Sequence, residues 1–325
     1  MEYLIPYNAN SSFSGFYSDD DRSYTLDSVL QELSCNGCGD YRISALSIRG
    51  ECGNAATEVN YKGYKTYKGK PQIKGQPATY ANNDDDCETI EIYLEDKLFG
   101  AEVTLYYSVF FDSDAIARSI EVKNASEKAI DLERIYSACY DFNNKEYDFI
   151  HLLGGWGKER MYERAPLMKG IQSITSRKGS SGHNHNPFMA LASRTASEHS
   201  GDVYGFSFVY SGNFAIDCEV DLFDNSRVLV GINPDDFGWH LEPSETFHTP
   251  EAISVYSDEG IGGMSRCLHK LFRRNLVRGP WRDKKRPIII NNWEAMRFDF
   301  DHDKLIKLAT DAAALGIEML VMDDG

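Results

Sequence analysis

Three side chains near the end of the sequence are of types that bind sugars. Residues 291–295 read Asn-Asn-Trp-Glu-Ala and residues 323–325 read Asp-Asp-Gly. An indole face suits the C–H-rich side of a pyranose ring, because it buries apolar area at low entropic cost. Two adjacent carboxylates accept hydrogen bonds from neighbouring hydroxyls, and charge-assisted bonds are stronger than neutral ones. Trp293, Asp323 and Asp324 are therefore candidate sugar ligands. The same residues also fit a plainer arrangement, with Trp293 in a core and the two aspartates capping a following helix, since acidic residues at strand ends often do so. The carboxylate pair alone would also suit a metal.

What places these residues is a strand, a helix and a second strand. Pro287-Ile-Ile-Ile290 is a continuous apolar run, as expected of a parallel strand buried on both faces. Asp301 or Asp303 can cap a helix carrying Leu305, Ile306, Leu308, Ala309, Ala312 and Leu315, which Gly316 stops. Ile317 to Met322 is the second apolar strand. Strand, helix and strand over about forty residues make one βαβ unit. In such folds ligands lie at the C-terminal ends of the strands, where Trp293 and the aspartates fall. One βαβ unit cannot bury its own faces, so it is expected to be the start of a larger barrel.

The preceding chain has another character. From about residue 40 to about 256, apolar residues alternate with polar ones: Ile90, Ile92 and Leu94, then Val103, Leu105, Tyr107 and Val109, then Ile120 and Val122, Phe206 and Phe208, Val228 and Val230. Polar turns bound the runs, which predicts a large antiparallel sandwich. Residues 260–277 carry Met264, Leu268, Leu271 and Phe272 at three- and four-residue spacing, the period of an amphipathic helix. The expected fold is mainly β: an antiparallel β-supersandwich (1–256), a helical linker (257–286) and the first βαβ unit of a (β/α)8 barrel (287–325).

Composition narrows the function. The 325 residues carry a formal net charge of −16, which repels phosphate backbones and argues against nucleic acid. No stretch reaches the roughly 18 apolar residues of a membrane span, and the first residues lack the basic start and apolar run of a signal peptide. The seven cysteines are scattered, which predicts reduced thiols and a cytoplasmic protein. Cys35-Asn-Gly-Cys38 reads as a turn at Asn36-Gly37, because four zinc ligands are not evident. His183 and His185 are two imidazoles without a third ligand, and Asp84-Asp85-Asp86 reads as a solvated loop with calcium as the alternative. Asn10 and Asn124 fit the glycosylation sequon, though no secretion signal supports its use. No metal and no cofactor is expected.

The stretch Arg286-Pro-Ile-Ile-Ile-Asn-Asn-Trp-Glu-Ala295, with Phe298-Asp-Phe300 and Met322-Asp-Asp-Gly325, resembles the barrel start of glycoside hydrolase family 36 α-galactosidases. The resemblance runs through the chain, in Tyr67-Lys-Gly-Lys-Pro71, Pro77-Ala-Thr-Tyr80, Gly154-Gly-Trp-Gly-Lys-Glu-Arg160, His185-Asn-Pro-Phe188, Val203 to Phe214, Gly231-Ile-Asn-Pro234 and Ser257 to Ser265. It implies a retaining hydrolase of terminal α-galactosides such as melibiose and raffinose, in which one Asp attacks the anomeric carbon and a second acid protonates the leaving oxygen. In the family the nucleophile lies in a Lys-Trp-Asp motif on a later strand. That motif does not occur in these 325 residues, so the chain is expected to be a fragment that carries binding residues without the catalytic pair. The resemblance gives Trp293 a place lining the pocket, and gives Asp323 and Asp324 the galactose hydroxyls, O4 and O6. It also implies a homo-oligomer, such as a tetramer, with an N-terminal loop reaching a neighbouring subunit. Arg22 is the candidate donor on that loop, where Asn10 stands in place of the family's Asp. Trp156 is a further candidate contributor.

Two other functions fit parts of the sequence. A non-catalytic carbohydrate-binding sandwich explains the strands but not the βαβ unit. A galactosyltransferase of the raffinose-synthase kind shares the barrel chemistry and differs only in handing galactose to a sugar.

Overall fold

The computed structural model describes residues 29–324. Among the described residues sixteen strands come first: β1 (Leu46–Gly50), β2 (Val59–Lys68), β3 (Cys87–Asp96), β4 (Ala101–Phe110), β5 (Ala115–Asn124), β6 (Ile130–Phe142), β7 (Tyr147–Gly155) and β8 (Lys158–Pro166). They continue with β9 (Gly170–Thr175), β10 (His185–Ser193), β11 (Val203–Val209), β12 (Phe214–Val220), β13 (Ser226–Ile232), β14 (Trp239–Leu241), β15 (Thr246–His248) and β16 (Glu251–Ser257). Helix α1 (Gly260–Asn275) follows, then β17 (Ile289–Asn291), the single turn α2 (Trp293–Met296), helix α3 (His302–Ala314) and β18 (Met319–Val321). The chain divides into two compact units, one ending at Leu276 and one starting at Val277.

The first unit is the antiparallel sandwich expected from the alternation. One sheet has ten strands in the order β2-β3-β4-β5-β16-β11-β10-β7-β8, with β15 on β5; the other has six in the order β1-β6-β13-β12-β9, with β14 on β6. Register turns the period of two into a core. Ile92 pairs with Leu105 and Leu105 with Ile120, while Leu94 pairs with Val103 and Val103 with Val122. Two apolar ladders thus cross three strands and pack against Leu46, Ile48, Leu132 and Ile135 of the smaller sheet. Farther along, Met189, Leu191, Phe206 and Phe208 meet Phe214, Ile216, Val228 and Val230. Each such side chain contributes roughly 1.5–3 kcal/mol on burial.

The outer face of the larger sheet is apolar too, and α1 covers it. Ala115, Ala117, Ala190, Ala192, Val203, Ile253 and Val255 receive Met264, Leu268 and Leu271, and the small alanines let the helix lie close. Asn275, at the end of α1, donates from Nδ2 to Tyr80 O (2.9 Å) and Asp86 Oδ2 (3.3 Å), so the loop with the Asp84–Asp86 run is fastened to the helix. The helix ends at Asn275, two residues before the sequence pattern suggests, and a short 3₁₀ turn at Pro280–Arg282 follows.

Gly231 shows why one of the sequence motifs needs glycine. It sits where the β13–β6 register shifts, and a Cβ there would lie 2.7 Å from Tyr136 Cα and 2.9 Å from Ser137 N. Backbone cannot yield as a flexible side chain does. Gly231→Ala should therefore cost about 1–3 kcal/mol, as overpacked cores do, read from the urea midpoint. An unchanged midpoint would show that the bulge relaxes freely.

The second unit holds a parallel pair. Ile289, Ile290 and Asn291 of β17 align with Met319, Leu320 and Val321 of β18. The connecting helix begins at Asp301, whose Oδ1 accepts from Lys304 N at 2.9 Å, and ends at Gly316 with φ +86°. Among the described residues no helix is long and apolar enough to cross a membrane.

Candidate functional site

The two parallel strands of the second unit end side by side, and their last residues form one hydrogen-bonded group. Asn291 closes β17. Its Oδ1 accepts from Trp293 N at 2.7 Å, and its Nδ2 donates to Asp323 Oδ2 at 2.7 Å. Asn292 is fully buried; its backbone N donates to Val321 O (3.3 Å) and its Oδ1 accepts from Asp323 N (2.7 Å). Asp323 Oδ1 accepts from Asp324 N at 2.7 Å. These links bring Trp293, Asp323 and Asp324 to one edge, at the C-terminal ends of both strands.

The electrostatics favour an ionised acceptor. The Asp324 amide, and then the Asn291 amide, hold the Asp323 carboxyl below the ordinary carboxylate range. Each Asp323 oxygen takes one internal hydrogen bond and keeps acceptor capacity for another donor. Asp323 and Asp324 are both exposed. Trp293 is half-buried, with an edge contact to Phe298 at 4.9 Å between ring centres and 88° between planes. A partly open indole beside two exposed carboxylates can stack on a sugar ring while accepting its hydroxyls.

The other candidates fall elsewhere. Arg22 and Asn10 lie outside the described residues. Trp156 belongs to the first unit, at the tip of the β7–β8 hairpin, and is 92% exposed. Cys35 is buried and Cys38 half-buried, and all seven cysteines are free thiols. Burial first, then nearby acidic groups, pushes Cys38 up to about 11, unlike a metal-binding thiolate. His185 lies 6.0 Å from His151 between ring centres, burial lowers both pKa values, and no group of three metal-binding side chains occurs among the described residues. Asn124 is fully buried, donating to Lys128 O (2.7 Å) and Leu241 O (3.0 Å), so the folded chain offers no acceptor amide for a glycan there.

A cleft of about 340 Å³ in the first unit is lined by Tyr140, Phe142, Tyr204, Phe206 and Tyr256. Two of its three carboxylates are already committed, Glu32 to Arg118 and Asp141 to Arg227, which leaves the exposed Asp114 as a lone acceptor rather than an adjacent pair like Asp323 and Asp324. What the sequence did not disclose is the part played by Asn291 and Asn292. Two asparagines before the tryptophan were visible, but their partners depend on a strand some thirty residues later, 32 for Asn291.

Comparison with known proteins agrees with this architecture. The glycosyl hydrolase family 36 N-terminal domain matches residues 6–242, and the Melibiase family matches residues 246–325. The chain is 48% identical to alpha-galactosidase AgaA of Geobacillus stearothermophilus over 314 residues, which is 97% of this chain and 43% of that protein. It is 40% identical to the bifunctional alpha-galactosidase/sucrose kinase AgaSK of Mediterraneibacter gnavus, over 100% of this chain and 35% of that protein. The crystal structure of AgaA superposes with a TM-score of 0.91, over 97% of this chain and 44% of that one. That of an alpha-galactosidase from Lactobacillus brevis superposes with a TM-score of 0.90 at 38% identity, over 95% of this chain and 42% of that one. Variants of AgaA have been crystallised in complex with stachyose and with raffinose. The chain thus spans about two fifths of the length of AgaA, and it belongs to glycoside hydrolase family 36.

Proposed function

We propose that this chain supplies the sandwich and the first sugar-binding edge of a retaining α-galactosidase. The observation that carries the reading is the strand-end group, in which Trp293, Asp323 and Asp324 are drawn together by Asn291 and Asn292. It is supported by relatives named alpha-galactosidases, and by the stachyose and raffinose complexes of one of them. Trp293 stacks on the galactose ring. Asp323 and Asp324 accept hydrogen bonds from its O4 and O6 hydroxyls. An acceptor placed for an axial O4 loses its hydrogen bond when the equatorial epimer binds, which disfavours that epimer. The nucleophile and the acid/base come from residues outside these 325, about 5–5.5 Å apart as in retaining enzymes generally. The full-length protein is a homo-oligomer in which Arg22 reaches the substrate of a neighbouring subunit, and Trp156 on its hairpin is free to meet a substrate or a subunit. Free thiols throughout agree with a cytoplasmic location.

The test is hydrolysis of an aryl α-galactoside. The full-length enzyme should turn it over with retention of anomeric configuration, seen by NMR of the first-formed sugar, and Arg22→Ala should raise KM with little loss of stability. The 325-residue chain alone should show no turnover. Inversion, or turnover by the 325-residue chain that is lost on changing one of its own carboxylates, would overturn the assignment of roles.

A further inference from the structure

We propose that Asn291 is a positioning residue of the sugar site, which sets the Asp323 carboxylate and the Trp293 indole in fixed relation to one another. The proposal rests on reading Asp323 as a galactose ligand. Asn291 does not itself need to touch the sugar.

The chemistry of the amide leaves one arrangement. Trp293 N can only donate, and an ionised carboxylate oxygen can only accept. Asn291 Oδ1 must therefore face Trp293 (2.7 Å) and Nδ2 must face Asp323 Oδ2 (2.7 Å), so the orientation of the amide is set by its two partners. One side chain fixes the start of the turn that carries the indole and the plane of the carboxylate. The backbone beneath is held as well. Asn292, fully buried, ties Asp323 N to the end of β17 through its Oδ1 (2.7 Å). With one internal donor on each Asp323 oxygen, the carboxylate keeps a single rotamer before any sugar arrives. Preorganisation of this kind matters because small misplacements of a binding group lower rates steeply.

No other residue of this size does both jobs. Aspartate at 291 keeps the acceptor for Trp293 N but replaces the donor with a second carboxylate against Asp323. Two like charges at hydrogen-bond distance cannot both ionise freely, so a proton is retained to higher pH. Alanine removes both bonds and leaves the indole turn and the carboxylate unlinked.

The experiment uses the full-length enzyme with an aryl α-galactoside, and compares Asn291→Ala, Asn291→Asp, Asp323→Asn and the double variant Asn291→Ala/Asp323→Asn. Asn291→Ala should lower kcat/KM roughly tenfold or more. The double variant should be scarcely worse than Asp323→Asn alone, because the two residues act as one unit. Asn291→Asp should move the acidic limb of the kcat/KM–pH profile to higher pH while the pH of acid unfolding, followed by circular dichroism, stays where it is in the parent, a combination that loss of folding stability does not produce. This near-isosteric variant also decides the matter if Asn291→Ala does not fold. Full activity of Asn291→Ala, additive losses in the double variant, or an unmoved acidic limb in Asn291→Asp would each overturn the proposal while leaving Asp323 a ligand, provided Asp323→Asn is impaired. An unimpaired Asp323→Asn would instead remove the sugar-site reading, and this proposal with it.

Discussion

Arg227→Met should destabilise the sandwich by about 3–5 kcal/mol, the usual cost of breaking a buried ion pair from one side. The Arg227 guanidinium is fully buried and forks onto Asp141, with Nε to Oδ1 at 2.7 Å and Nη2 to Oδ2 at 2.8 Å. Its Nη1 also reaches Asp40 Oδ2 at 2.9 Å and Ile43 O at 3.1 Å. Methionine would fill much of the space but leave Asp141 and Asp40 with one guanidinium between them, that of Arg42 at 3.4 Å from Asp141 and 3.0 Å from Asp40, beside the neutral donors of Gln31. Thermal unfolding should then fall by on the order of 10 °C. A pH signature accompanies the loss. Burial would raise the Asp40 pKa, but bonding to Arg42 and the charge of Arg227 more than offset it and hold that carboxyl below its ordinary value. A depressed carboxylate adds stability above its unfolded pKa of about 4, and that stability is lost as pH falls through the lower folded value. Without Arg227, acid unfolding should begin at a higher pH. A variant as stable as the parent at every pH would show that the cluster contributes nothing.

Asp323→Asn and Asp324→Asn should each lower kcat/KM for an α-galactoside on the order of tenfold to a hundredfold in the full-length enzyme. A hydrogen bond to a charged group contributes roughly 1.5–3 kcal/mol, and asparagine replaces an ionised acceptor by a neutral amide that is half donor. Asp323→Asn adds a second fault, since an amide nitrogen turned toward either internal donor makes no bond. Thermal stability should barely move, because both side chains are exposed at strand ends rather than packed. The capping alternative predicts the reverse in kinetics, for asparagine caps helices about as well as aspartate.

Much of the fold was legible in the residues. The alternation of Ile92, Leu94, Val103, Leu105, Ile120 and Val122 survives as two ladders across β3, β4 and β5. The apolar runs near the end pair in parallel, and Asp301 caps the helix between them. These features are local, and a period or a cap is written within a few residues. The Arg227–Asp141 pair was not legible, because its partners stand 86 residues apart and neither sequence neighbourhood marks a buried charge. β14 and β15, three residues each, are too short to show a period. In the candidate site, residue type and strand-end position singled out Trp293, Asp323 and Asp324 for test, whereas the hydrogen bonds of Asn291 and Asn292 to Asp323 required the register of β17 against β18.

The central claim is that the strand-end carboxylates hold galactose. It is tested most directly by kcat/KM for matched aryl α-galactoside and α-glucoside substrates, measured for the full-length enzyme and its Asp323→Asn and Asp324→Asn variants beside their melting temperatures. The account predicts that activity on the galactoside falls at least tenfold in each variant, that the preference for galactose over its O4 epimer shrinks, and that melting temperatures stay within a degree or two. Galactoside kinetics unchanged in both variants would return the two residues to the role of capping carboxylates and contradict a galactose site at this edge.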